Sequence, residues 1–110
     1  MEPLISVITV SYNASQCIED TILSIIEQRY DNFEYIIIDG GSSDTTLNII
    51  RKYQSKITHC ISEPDAGIYD AMNKGVHKSK GKYIIFINAG DTLCNNETLK
   101  NCASVLKADP

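Results

Sequence analysis

The chain has 110 residues, of which 43% are hydrophobic, and its 10 Lys and Arg against 14 Asp and Glu give a formal net charge of −4. This length fits one compact domain, and the apolar fraction is sufficient for a core, which argues against a disordered chain. The acidic balance argues against a dedicated nucleic-acid binder, although backbone N–H groups and a metal can hold phosphate without a basic surface.

Short apolar segments rich in β-branched residues predict four strands. They cover residues 4–10, 35–38, 57–61 and 83–87, and the third is weaker and fits an edge strand. Segments that are apolar without alternation are typical of strands buried on both faces of a parallel sheet.

Helical patterns follow each predicted strand, and the resulting βαβαβαβα order predicts an α/β fold with a parallel sheet and helices on both faces. Asn13 or Ser15 is the expected cap of the first helix and Asp44 that of the second. The apolar positions that define the helices are Ile18, Ile22, Ile25 and Ile26 in the first, Leu47, Ile50 and Tyr53 in the second, residues 67–78 in the third, and Leu99, Cys102, Ala103 and Leu106 within residues 96–107 in the fourth.

Small polar segments follow three of the predicted strands: residues 11–13, 39–44 and 88–91. Ligands of such sheets bind beyond the carboxyl ends of the strands. Asp39 can accept a hydrogen bond from a nucleobase N–H or a ribose hydroxyl, and Asp91 offers a hard oxygen to Mn²⁺ or Mg²⁺. Each segment taken alone also fits a simple turn, but three polar loops at one edge favour a binding site.

The segment at residues 63–75 fits a helix entry, with Asp65 as a cap and Asp70 near the positive helix end. Its other interpretation is a helix N-terminus that faces the same edge, with Lys74 as a phosphate contact.

Several other site types are excluded or disfavoured. The sequence lacks the Gly-Lys-Ser/Thr of a P-loop and the Gly-x-Gly-x-x-Gly of a dinucleotide dehydrogenase. His59 and His77 are isolated and are expected to be structural or solvated. No Cys-x-x-Cys is present, which argues against zinc or a disulfide framework. We expect reduced core or helix residues at Cys17, Cys60, Cys94 and Cys102.

Four motifs resemble the N-terminal half of family 2 glycosyltransferases with the GT-A fold. They are Ile5-Ser-Val-Ile-Thr-Val-Ser-Tyr-Asn13, Ile38-Asp-Gly-Gly-Ser-Ser-Asp-Thr-Thr46, the segment 65–75 and Phe86-Ile-Asn-Ala-Gly-Asp91. They cover nearly the whole chain in the family's order, and segment 65–75 is similar to the branch that builds bacterial surface polysaccharides.

The resemblance implies a Rossmann-like GT-A half-domain at residues 1–110, with strand order 3-2-1-4 and the acceptor-binding half beyond it. It implies inverting transfer of a sugar from a nucleoside diphosphate sugar, UDP by default, to an acceptor hydroxyl of a glycan or lipid-linked glycan. Tyr12 would stack on the base, and Asp91 would hold Mn²⁺ or Mg²⁺. The expected nucleotide-binding residues are Val10, Tyr12, Asn13, Asp39, Gly40, Gly41, Ser42, Lys74, Asn88, Ala89 and Gly90.

The sequence departs from the family pattern at two places. Gly40 stands where a second Asp is common after the second strand, and residues 88–91 keep only the last acid of the common Asp-x-Asp-Asp. No residue of the chain fits the general base, so we expect the base beyond Pro110 and expect residues 1–110 alone to be inactive. The alternative is a non-catalytic nucleotide-binding α/β module.

The first apolar run ends at Val10, which is too short for a signal peptide or a membrane span. We therefore expect no transmembrane segment in this chain and a cytoplasmic location, at the inner face of the membrane in a longer protein. We expect exposed apolar surface to permit self-association.

Overall fold

A computed structural model describes residues 3–108 of the predicted domain 1–110. Residues 1–2 and 109–110 lie outside the described residues. The general base is predicted to lie beyond Pro110, outside the described part of the chain, so it stays a prediction.

Strands and helices alternate as predicted. The elements are β1 (Ile5–Ser11), α1 (Ile18–Ile26), β2 (Phe33–Asp39), α2 (Thr46–Arg51), a 3₁₀ turn (Gln54–Lys56), β3 (His59–Ser62), α3 (Ile68–Lys78), β4 (Tyr83–Phe86) and α4 (Thr98–Ala108).

The four strands form one parallel sheet in the order β3-β2-β1-β4, which confirms the predicted order 3-2-1-4. β1 lies between β2 and β4, and its last residue, Ser11, pairs with Asp39 at the end of β2. The carboxyl ends of β1, β2 and β4 therefore lie side by side at one edge of the sheet, because parallel strands end in the same direction.

Side chains from both faces of the sheet are buried, as the unbroken apolar runs predicted. On one face, Ile5 and Val7 pack with Ile18, Ile22 and Ile25 of α1, and each of these side chains is fully buried. Fully burying such a side chain stabilises the fold by about 1.5–3 kcal/mol. The same cluster includes Ile50 of α2 and Leu99 and Ala103 of α4.

The opposite face of the sheet is covered by α3, so helices lie on both faces. Ile8, Ile36 and Ile38 pack there against Ala71. Gly75 allows this close approach, because a Cβ atom at that position would lie 2.7 Å from Cγ2 of Ile8.

The expected caps of the first helix were wrong. The N-cap of α1 is Cys17, without a side-chain cap. Asn13 has a positive φ of 48° and its Oδ1 accepts the N–H of Ser43 instead. Asp44 lies one residue before the N-cap of α2, and its Oδ1 accepts the N–H of Thr46 at 3.0 Å, so it serves the predicted helix end.

All four cysteines are free thiols, but the expectation of core or helix positions was wrong for two of them. Cys60 lies in β3 and Cys94 in the loop before α4, and both are exposed. None of the helices within residues 3–108 has both the length and the apolar character to span a membrane.

Candidate functional site

A cavity of about 750 Å³ opens at the carboxyl edge of the sheet. The loops after β1, β2, β3 and β4 all contribute to its walls. Six residues predicted for the site line it together: Val10, Tyr12, Asn13, Gly40, Asn88 and Ala89. The topology explains this convergence, because the neighbouring parallel strands end at this edge.

Tyr12 lies at the rim of the cavity directly after β1. Its side chain is 65% exposed, which leaves the ring free to receive a planar ligand group. The loop that carries it is fixed by two contacts with the loop after β2. The Asn13 N–H donates to Oγ of Ser42 at 2.8 Å, and Oδ1 of Asn13 accepts the Ser43 N–H at 2.9 Å.

Asp39 is fully buried and does not line the cavity. Its Oδ1 accepts the hydroxyls of Ser11 at 2.8 Å and Ser42 at 2.6 Å. Its Oδ2 accepts the N–H groups of Gly41 and Ser42 and the hydroxyl of Ser62, at 2.8–3.1 Å. Burial alone would raise the pKa of Asp39, but the hydrogen bonds from Ser42, Ser11 and Ser62 outweigh it and hold the pKa below its ordinary value.

This geometry does not agree with the ligand contact predicted for Asp39. Its carboxylate instead holds the ends of three adjacent strands and the loop after β2 in one arrangement. Gly41 and Ser42 belong to the loop that Asp39 holds, and they do not line the cavity either. Gly41 has a φ of +85°, and a Cβ atom there would lie 3.2 Å from the backbone nitrogen of Pro64.

The turn after β4 presents oxygen atoms. The Asp91 N–H donates to the carbonyl of Asn88 at 2.9 Å, and Gly90 has a φ of +102°. Oδ1 of Asn88 is buried and has no hydrogen-bond partner among the described residues, although Asn88 lines the cavity. Asp91 is exposed and lies at the end of the same turn. Neither Asp91 nor Gly90 lines the cavity itself, so both sit beside it on the turn that Asn88 and Ala89 bring to its wall.

Within residues 3–108, no group of three or more His, Cys, Asp or Glu side chains is arranged so that it could hold a metal ion by itself. A divalent cation here would therefore need ligand oxygens besides those of Asp91 and Asn88. Mg²⁺ and Mn²⁺ commonly bind in this way, through one or two protein oxygens and the phosphates of the ligand. Oδ1 of Asn88, which has no partner within residues 3–108, and the exposed carboxylate of Asp91 offer the hard oxygen atoms that such a cation prefers.

Lys74 does not line the cavity. Its ammonium donates to the carbonyl of Pro64 at 3.2 Å and pairs with Glu63 at 3.2 Å and Asp70 at 3.8 Å. The phosphate contact predicted for Lys74 does not agree with this geometry, because the ammonium already faces two carboxylates. His59 and His77 lie in β3 and α3, outside the cavity, as expected of structural or solvated residues.

Sequence reasoning missed Asp65 as a cavity residue. It lines the wall formed by the loop between β3 and α3, together with Pro64, Gly67 and Ile68. The N-cap of α3 is Gly67, and Asp65 accepts the Gly67 N–H at 3.1 Å. The signal was present, since Asp65 follows a predicted strand just as Asp39 and Asp91 do.

Comparison with known proteins gives a consistent result. The profile of Glycosyl transferase family 2 matches residues 6–110. TuaG of Bacillus subtilis, a glycosyltransferase whose name assigns it to teichuronic acid biosynthesis, is 38% identical over 93 residues, which are 82% of this chain and 37% of TuaG. A PGL/p-HBAD biosynthesis glycosyltransferase of Mycobacterium tuberculosis is 32% identical over 107 residues, 94% of this chain and 42% of that protein.

Solved structures show the same fold. S. aureus TarS in complex with UDP-GlcNAc superposes with a TM-score of 0.88 at 28% identity, over 98% of this chain and 32% of that one. The mannosyltransferase PcManGT from Pyrobaculum calidifontis, in complex with GDP-Man and Mn²⁺, gives a TM-score of 0.87 at 26% identity, over 100% of this chain and 34% of that one. The chain thus spans about two fifths of the length of the curated relatives described here, 37–42%.

Proposed function

The chain belongs to glycosyl transferase family 2, and we propose that it forms the donor site of an enzyme that transfers a sugar from a nucleoside diphosphate sugar to an acceptor hydroxyl. The observation that carries the proposal is the cavity at the carboxyl edge of the sheet, lined by the loops that follow all four strands. The nucleotide sugars bound to TarS and PcManGT support this class of ligand. UDP is the nucleotide that we assign.

Each loop contributes a different contact to the proposed site. The ring of Tyr12 stacks on the base, since it is exposed at the rim and adjoins the cavity. Val10, Asn13 and Gly40 form the wall behind it. Asn88 and Ala89, which line the cavity, face the diphosphate, and Gly90 completes the turn that presents them. Asp39 acts through the loops that it holds, rather than by touching the nucleotide.

A divalent cation, Mn²⁺ or Mg²⁺, fits the turn after β4. Asp91 would bind it through its carboxylate, and Oδ1 of Asn88 is the second oxygen available in that turn. When bound, such a cation neutralises the negative charge that grows on the leaving diphosphate. The Mn²⁺ in the PcManGT complex supports this assignment.

The proposed reaction is an in-line displacement that inverts the anomeric carbon. The acceptor oxygen forms a bond to that carbon while the bond to the nucleoside diphosphate breaks, and a general base takes the hydroxyl proton. We assign no residue of 1–110 as that base and propose that it lies beyond Pro110. We place the acceptor wall in the portion of the relatives that this chain does not cover.

The names of the relatives support a role in the synthesis of cell-surface glycans. We assign the acceptor to glycans or lipid-linked glycans and the site of action to the cytoplasmic face of the membrane. Val105 and Ile84, which are 67% and 37% exposed, lie beside an apolar groove between β4 and α4 and offer a surface for self-association.

Calorimetric titration of UDP with and without Mn²⁺ tests the proposal. We expect the wild type to bind UDP more tightly in Mn²⁺ and Asp91→Ala to lose that enhancement while its fold stays intact by circular dichroism. Asp31→Ala is the matched control, because it removes an exposed carboxylate that lies before β2 and far from the cavity. Absence of UDP binding by the wild type, or equal Mn²⁺ enhancement in Asp91→Ala, would contradict the proposal.

A further inference from the structure

The carboxylates of Asp39 and Asp65 lie at the same edge of the sheet, but they differ in how many of their oxygen atoms accept hydrogen bonds from the protein. Both oxygens of Asp39 are occupied by protein donors, and its side chain is fully buried. Asp65 is half-buried and lines the cavity. Its Oδ1 accepts the Gly67 N–H at 3.1 Å, while no residue within 3–108 donates to its Oδ2. Asp65 therefore offers the cavity one free, negatively charged acceptor.

Gly40 explains how this carboxylate reaches the cavity wall. A Cβ atom at residue 40 would lie 2.9 Å from Oδ2 of Asp65 and 3.3 Å from its Cγ. The backbone of Gly40 is outside the left-handed region, so its conformation does not demand glycine. The space that a side chain at residue 40 would take is filled by the carboxyl group of Asp65, which arrives from the next loop.

The order of the strands decides which end of the ligand Asp65 meets. Asp91 follows β4 on one side of β1, whereas Gly40 and Asp65 follow β2 and β3 on the other. Parallel strands lie about 4.8 Å apart, so the ends of β2 and β4 are separated by about 10 Å. If the diphosphate lies at the turn of Asp91 and the base on Tyr12, as proposed above, the far edge of the base would lie on the side of the cavity that Asp65 lines.

We infer that Asp65 is the residue that selects the base, by accepting the N3–H of uracil on Oδ2. This inference rests on the proposed function and names the residue that contacts the base of the nucleotide assigned there. The N3 position distinguishes the pyrimidines, because uracil donates a proton there and cytosine presents a lone pair. A carboxylate pairs with the first and repels the second, and a charge-assisted hydrogen bond is stronger than a neutral one.

Asp65→Asn tests the inference with little change in shape. The amide oxygen can keep the hydrogen bond from Gly67, while an NH₂ group replaces the free acceptor. We expect the affinity for UDP to fall roughly 10- to 100-fold, as for loss of one hydrogen bond to a charged group, and the preference for UDP over CDP to shrink or reverse. Asp31→Asn removes the same charge at a distant exposed position and should change neither value.

A second variant tests the shared space. Asp65→Ala should lose the preference for UDP over CDP, and adding Gly40→Asp should restore it, since the new carboxyl group enters the vacated space. A double variant that binds like Asp65→Ala would overturn the shared-space argument.

The two proposals fail in different ways. A wild type that binds no nucleoside diphosphate would contradict the proposed function as well as this inference. A wild type that binds UDP, with the preference for UDP over CDP unchanged in Asp65→Asn, would overturn this inference alone.

Discussion

Replacing Asp39 by Asn should destabilise the protein strongly, because its carboxylate is the acceptor for five hydrogen bonds in the sheet edge. Asn keeps the shape of the side chain but exchanges one acceptor oxygen for a donor. Oδ2 alone accepts three of the five bonds, two from backbone N–H groups and one from the hydroxyl of Ser62.

The expected loss follows from those contacts. A hydrogen bond to a charged group contributes about 1.5–3 kcal/mol, and bonds that share one acceptor are not additive. The N–H groups of Gly41 and Ser42 keep an acceptor only if the amide oxygen of Asn takes the place of Oδ2, and the hydroxyls of Ser11 and Ser42 must then accept from the NH₂ group. The bonds that survive are weaker, because the amide is neutral. We therefore expect the free energy of unfolding to fall by about 2–4 kcal/mol.

Urea denaturation followed by circular dichroism at pH 7 measures this loss, with Asp31→Asn as the control for the removed charge. A change below about 0.5 kcal/mol, the range of an ordinary surface substitution, would refute the structural role of Asp39. If UDP binding were then lost without any loss of stability, Asp39 would be a ligand contact, as the sequence alone predicted.

Three further predictions concern nucleotide stacking at the cavity rim, stability at acid pH and the packing of α3 on the sheet. Tyr12→Ala should weaken UDP binding by about 1–3 kcal/mol in calorimetry, whereas Tyr12→Phe should leave it unchanged. Tyr69 is an exposed tyrosine outside the cavity, and an equal loss of binding in Tyr69→Ala would contradict stacking on Tyr12. The pKa of Asp44 is lowered to about 2 by hydrogen bonds from Thr46 and Ser15, so its stabilising effect is full above about pH 4 and lost as the pH falls toward 2. The difference in Tm between wild type and Asp44→Asn should close over that interval, and a constant difference would refute the assignment. Gly75→Ala should cost about 1–3 kcal/mol in urea denaturation despite the better helix propensity of Ala, whereas a neutral result would contradict the close packing of α3 on β1.

The fold could be predicted from the sequence because its signals are local. The Ile-rich run of β1 and the Ile18–Ile22–Ile25 face of α1 each report burial within one element. The alternation of strands and helices then leaves few topologies for a parallel sheet. The order of the strands rested on the resemblance to the family, and the structure confirms it.

The details of the site could not be predicted, because they depend on contacts between distant segments. Asp39 is closed off by Ser11, 28 residues before it, and by Ser62, 23 residues after it. The local sequence around Ser11 or Ser62 does not indicate that either hydroxyl donates to Asp39. Asn13 likewise fits a helix cap by type, yet it binds the loop after β2. The sequence indicates Asp65 only as a helix cap, because its second role depends on its proximity to Gly40, which exists only in the folded chain.

The most direct test of the central claim is an NMR titration of the ¹⁵N-labelled protein with UDP. The claim is that the nucleotide binds at the carboxyl edge of the sheet, so we expect shifts in the amides of residues 10–14, 40, 65–68 and 88–91. Added Mn²⁺ should broaden signals most strongly around Asp91. Shifts confined to the groove between β4 and α4, or to the cavity between α2 and β3, would contradict the account, as would the absence of any shift at saturating UDP.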